Sequence, residues 1–64
     1  MKDYRVIKPY TTYCFGFALT IPVGSIGIWF EWGKCYTFDS IDGYVPFVSR
    51  WAVEAWHDYF EVMP

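Results

Sequence analysis

From Tyr13 to Ile21 the chain alternates large and small side chains. Tyr13, Phe15, Phe17, Leu19 and Ile21 hold the odd positions, with Cys14, Gly16, Ala18 and Thr20 between them. A helix scatters such a set around its circumference, whereas a strand gathers it on one face. The alternation predicts a strand through this segment with its five large side chains on one face. Ile26, Ile28 and Phe30 alternate in the same way against Gly27, Trp29 and Glu31, which predicts a second strand running into Gly33 and reversing there. A two-residue loop of Gly33 and Lys34 would leave the apolar residues of the two hairpin strands on opposite faces. A three-residue loop, Glu31-Trp32-Gly33, sets Ile28 opposite Tyr36 and Ile26 opposite Phe38, with Gly33 in the left-handed position of a bulged hairpin. On that register Ile26, Ile28 and Phe30 are core, Trp29 and Cys35 share the outer face, and Trp32 sits at the loop tip.

The flanking segments read more simply. "YRVIKPY" (Tyr4 to Tyr10) is a short first strand ended by Pro9, and "DSIDGY" is a turn with Asp42-Gly43 as its tightest signal. "YVPFV" carries Pro46, which demotes it to an edge strand or an extended crossing. Beyond Ser49, a suitable N-cap, Ala52, Val53, Trp56, Tyr59 and Phe60 recur at a helical period, with Arg50, Glu54, His57, Asp58 and Glu61 on the other side. A short helix closing one end of a sheet is the expected result. Trp51 falls outside the apolar arc, so it is either exposed or folded back onto the preceding segment. Val62 and Met63 add a last short strand.

The stretch from Thr11 to Phe30 contains no charge, and Lys2, Arg5 and Lys8 precede it. A run of about 20 apolar residues is long enough to cross a bilayer as a helix. Pro22, three glycines, Ser25 and the threonines dilute it, however, and its period is that of strands. Two strands joined by a glycine turn are the preferred reading, and membrane insertion is the alternative.

Composition adds a constraint. The chain has 64 residues, 55% of them hydrophobic, with four Trp, six Tyr and six Phe. A domain this small buries only about 60% of the surface its unfolded form exposes. It cannot enclose every ring, so part of the aromatic load faces a partner, a ligand or a second copy. The net charge is −2, and neither half is basic enough to read as a nucleic-acid surface. Two cysteines, Cys14 and Cys35, have neither metal spacing nor a redox CxxC; two packed, reduced thiols are preferred to a disulfide in a chain with no secretory signal.

The order of elements resembles that of the small SH3-like β-barrels. "IPVGSIGIWFEWGKCYTFD" is similar to the segment of KOW-type domains in which a P-x-G-x-x-G turn leads into a strand, a hairpin and a second strand. The resemblance implies that Gly24 makes the turn and Gly27 permits close backbone approach. The opening Tyr4 to Pro9 and the closing Tyr59 to Val62 also resemble short proteins encoded by bacterial viruses. The basic residues that nucleic-acid-binding members place beside the turn are absent; Ile21, Val23, Ser25 and Ile26 stand there instead.

The expected architecture is therefore mainly β: one domain over residues 1–64, an SH3-like barrel of about five strands with one short C-terminal helix. No catalytic constellation is expected. His57 is the only histidine; Glu54, Asp58 and Glu61 stand near it on the expected helix, but without a second histidine or a paired cysteine they make no metal site of ordinary ligand type, and no phosphate loop is present, so neither metal nor cofactor is called for. The binding candidates are aromatic: Trp29, Trp32, Trp51, Tyr44 and Phe47, residue types that anchor protein interfaces. They suggest a non-enzymatic protein–protein module. The viral resemblance implies a cytoplasmic inhibitor or modulator of a bacterial host protein that acts by occlusion, and edge strands invite a homodimer. A nucleic-acid-binding barrel that stacks bases on Trp and Tyr is the alternative from a different class.

Overall fold

The computed structural model describes residues 1–64. It is mainly β, with one short helix. The strands are β1 (Tyr4–Val6), β2 (Tyr10–Cys14), β3 (Phe17–Ile21), β4 (Ile26–Phe30), β5 (Cys35–Thr37), β6 (Phe47–Ser49) and β7 (Phe60–Val62), with α1 (Arg50–Ala55) between the last two. Five strands form one curled antiparallel sheet in the order β6-β5-β4-β1-β7, and β2 and β3 form a separate hairpin. The main sheet has the expected number of strands, five, and the separate hairpin brings the total to seven.

The core sits inside the curl. Val6, Ile21, Tyr36, Phe38, Val48, Ala52, Val53 and Phe60 make one buried cluster, and Tyr4, Tyr10, Trp29, Ile41 and Tyr59 pack against it. Strand alternation explains its composition: Trp29, Tyr36 and Val48 form one cross-strand row on the inner face, and Val6 pairs with Phe60 on the neighbouring strands. The phenol of Tyr36 donates to the carbonyl of Lys2 at 3.0 Å, which satisfies the polar end of this buried ring.

The alternating segment Tyr13–Ile21 is not one strand. It folds back at Phe15-Gly16, where both residues have positive φ (57° and 82°), the geometry of a two-residue hairpin turn. A two-residue loop reverses parity, so Tyr10, Thr12 and Cys14 share a face with Phe17, Leu19 and Ile21, while Tyr13 points out and is 82% exposed. The large-small alternation ran through a turn that is invisible to periodicity.

The β4–β5 hairpin also differs by one residue of register. Its loop has four residues, Glu31 to Lys34, so Ile28 pairs with Thr37, Trp29 with Tyr36 and Phe30 with Cys35. A one-residue slip moves every side chain to the other face. Ile28 and Phe30 are exposed, Ile26 is half-buried, and Trp29 turns inward onto the edge of Tyr36. Steric packing decides the register. A Cβ on Gly27 would lie 2.5 Å from the Phe38 ring, so the inner face of β4 is held open for that ring by the absence of a side chain. The left-handed residue of the loop is Lys34 (φ 54°), and Gly33 serves a different need: a Cβ there would meet the Phe30 ring at 2.8 Å.

The remaining elements follow the sequence more closely. Gly24 has φ 94° in a turn closed by Ser25 N–H donating to the Pro22 carbonyl, and Asp42-Gly43 turns between the bridged Ile41 and Tyr44. Strand β6 lies at a sheet edge directly after Pro46. Helix α1 starts after Ser49 but ends at Ala55; Ala52 and Val53 are its buried residues, Trp56 is exposed, and Phe60 belongs to β7. Both cysteines are free thiols. No helix is long and apolar enough to cross a membrane.

Candidate binding groove

The outer face of β4, β5 and β6 is apolar as well. The same register that turns Trp29, Tyr36 and Val48 inward sends Phe30, Cys35, Thr37, Phe47 and Ser49 outward in adjoining cross-strand rows. The β2–β3 hairpin leans against this face and is tied to it by Thr12, whose hydroxyl donates to the Phe47 carbonyl at 3.3 Å. An open groove of about 980 Å³ lies between them. Tyr10, Thr12, Tyr13 and Phe15 of the hairpin line one part, the outward row of the sheet another, and Trp51 and Ala52 of α1 with Gly33 and Lys34 of the β4–β5 loop a third.

The hairpin tip carries the most telling geometry. Phe15 adopts φ 57°, a left-handed conformation that is costly for a bulky side chain and typically persists where the surroundings impose it. Its ring lies 5.2 Å from Tyr44, 5.7 Å from Phe47 and 6.5 Å from Phe17, and Phe17 in turn meets Tyr44 edge-on at 5.1 Å. These four rings touch one another, yet each is between 41% and 51% exposed. The four rings thus form a mutually packed, half-open apolar patch.

Electrostatically the groove is close to neutral. Lys34 is its one charged lining residue, and it is paired with Glu31, which also accepts a 3.0 Å bond from the Trp29 indole N–H. Burial raises the pKa of the Cys35 thiol, so at neutral pH this sulfur is a protonated, weakly nucleophilic lining atom. No group of His, Cys, Asp and Glu side chains is gathered in a way that could hold a metal ion.

Of the aromatic candidates drawn from the sequence, Phe47 and Trp51 line the groove, Trp51 being 68% exposed. Tyr44 joins them through the Phe15 cluster. Trp32 is 92% exposed at the β4–β5 loop and stands apart from the groove, and Trp29 packs on the core side of the sheet. Phe15, Phe17, Phe30 and Tyr13 were not among the candidates. An aromatic-glycine step, Phe15-Gly16, in the middle of a charge-free run was the available sign of a turn that would expose them. No protein-family model, no curated protein and no solved structure matches this chain.

Proposed function

We propose that the chain is an SH3-like barrel acting as a non-enzymatic protein-interaction module, with the groove between the β2–β3 hairpin and the outer face of β4–β6 as its binding site. The barrel reading is supported by the order of elements: a meander of β4, β5 and β6, a short helix, and a final strand returning to pair with the first. The observation that carries the function is the groove itself, a large apolar channel lined by exposed aromatic rings from three parts of the chain that lie far apart in sequence. Apolar, aromatic-lined channels of this shape suit an extended segment of another protein, whose side chains or prolines seat between the rings. The near-neutral lining favours an uncharged segment. Following the resemblance to virus-encoded proteins, the partner is a bacterial host protein, and occupying its segment is sufficient to block it.

Selection of a random peptide library on the immobilised protein tests this. The expected outcome is enrichment of uncharged, apolar sequences whose binding is lost in Phe47→Ala and Trp51→Ala and varies little with salt. Failure to enrich any sequence, or binding that both variants retain, rejects the reading. Binding of single-stranded nucleic acid that weakens steeply with salt would favour the base-stacking alternative instead.

A further inference from the structure

Four strands lie at sheet edges, and they are not protected alike. Strand β6 follows Pro46, and the edge strand β2 packs against it, with the Thr12 hydroxyl donating to the Phe47 carbonyl, so these two edges shield each other. Strand β7 carries Glu61 at its centre, paired with Arg5. Strand β3 has a neighbour on one side only, and its sequence, Phe17-Ala18-Leu19-Thr20-Ile21, contains no charge, no proline and no bulge. These are the devices by which edge strands normally refuse another strand. No backbone hydrogen bond outside the hairpin's own ladder involves residues Phe17 to Ile21.

The hairpin turn fixes which groups are free. A two-residue loop closes on a hydrogen-bonded pair, here Cys14 with Phe17, and the pattern then alternates. Phe17, Leu19 and Ile21 therefore bond inward to β2, and Ala18 and Thr20 direct their N–H and C=O groups outward, both residues being exposed.

We propose that two copies of this chain associate through β3, antiparallel about a twofold axis at Leu19, to form a continuous four-stranded sheet of two hairpins. With the axis there, Ala18 of one copy faces Thr20 of the other and each pair exchanges both of its hydrogen bonds. Shifting the axis by one residue toward either end leaves one outward residue of each copy unmatched. Leu19 then meets its own counterpart, and Phe17, half-exposed in the single chain, gains Ile21 of the second copy as its cross-strand neighbour. A second copy is the favoured occupant because the register is self-complementary and the whole segment from Thr11 to Phe30 is uncharged, so pairing buries no charge on either side. No residue of β3 lines the groove, so the pairing draws on backbone groups that the groove does not use.

Sedimentation up to about 1 mM protein, with amide hydrogen exchange read residue by residue, tests the proposal; an edge pairing of this length gives a weak dimer with a dissociation constant of roughly 10 to 500 μM. Protection at the Ala18 and Thr20 amides should rise with concentration, while Leu19, already bonded to β2, stays constant. Thr20→Pro removes an N–H that the single chain does not use and should weaken the dimer at least about tenfold. Ala18→Lys, which leaves every backbone group in place, should do the same through like charges at the new seam and serves if the proline variant does not fold. A strict monomer at the highest concentration, a dimer whose Ala18 and Thr20 amides remain unprotected, or a dimer that Ala18→Lys leaves intact overturns it.

Discussion

The two faces of the β4–β5–β6 sheet are both apolar, and they have opposite fates. The inner row, Trp29, Tyr36 and Val48, is roofed by β1, β7 and α1 and becomes the core. The outer rows, Phe30 with Cys35 and Thr37 with Phe47, are met by a leaning hairpin and bordered by Trp51 of α1, and a groove is left between them. Hydrophobicity alone does not distinguish them. What does is closure: the inner face has glycine at position 27 so that Phe38 can seat against the backbone, whereas the outer face is bordered by rings held in place and left uncovered.

Removing a ring from the inner face is expected to have the largest effect. Tyr36→Ala leaves a cavity under the sheet and frees the Lys2 carbonyl, at a cost of about 3–5 kcal/mol. That is comparable to the whole stability of many small domains, so loss of the cooperative thermal transition in circular dichroism is the outcome to look for. Gly27→Ala comes next, because its methyl must displace the Phe38 ring; destabilisation of about 1–3 kcal/mol should appear as a lower urea midpoint. If that variant is neutral, the inner face is looser than its geometry indicates.

Phe15→Asn probes the outer face. Asparagine accepts the left-handed conformation more readily than phenylalanine, so stability should stay within about 1 kcal/mol while binding of a selected peptide weakens about tenfold. A large stability loss with unchanged binding would reverse the assignment of the two faces. The pH dependence is gentler. Burial raises the pKa of Cys35 and of Tyr36, the latter also through the neighbouring Tyr4, so both groups hold their protons more tightly folded than unfolded. Their contribution is fully present below the ordinary thiol and phenol values and is lost as the pH rises through the raised ones. Urea midpoints should be unaffected by these two groups below about pH 9 and fall above about pH 10. Trp32→Ala should have the smallest effect, within about 0.5 kcal/mol of wild type in stability and without consequence for groove binding.

The sequence made the elements legible and the faces less so. Gly24, Asp42-Gly43, Pro46 and Ser49 each mark a local event, and local chemistry places the turn, the bend, the edge and the helix start where the structure has them. Register is different, because a loop of three residues and a loop of four satisfy the same hydrophobic count while exchanging inside for outside. The deciding contacts, Phe38 over Gly27 and Phe30 over Gly33, join residues whose proximity exists only after folding. The groove was hidden for the same reason: Phe15 and Phe17 read as one face of an unbroken strand, and the turn at Phe15-Gly16 separates them. Phe47 and Trp51 were legible because a proline beside an edge and a tryptophan outside a helical arc are local signs.

The pairing of β1 with β7 has a kinetic consequence. Val6 meets Phe60 across almost the entire chain, whereas the β2–β3 hairpin and the β4–β5–β6 meander close on near neighbours. Closing so long a loop forfeits chain entropy before any contact rewards it, which places this step late and puts the overall rate in the range of about milliseconds to seconds. Before that pairing forms, the apolar surface that β1 and β7 cover in the finished protein is open to water. Rapid dilution from denaturant at high concentration should therefore lose material to aggregation that slow dilution recovers.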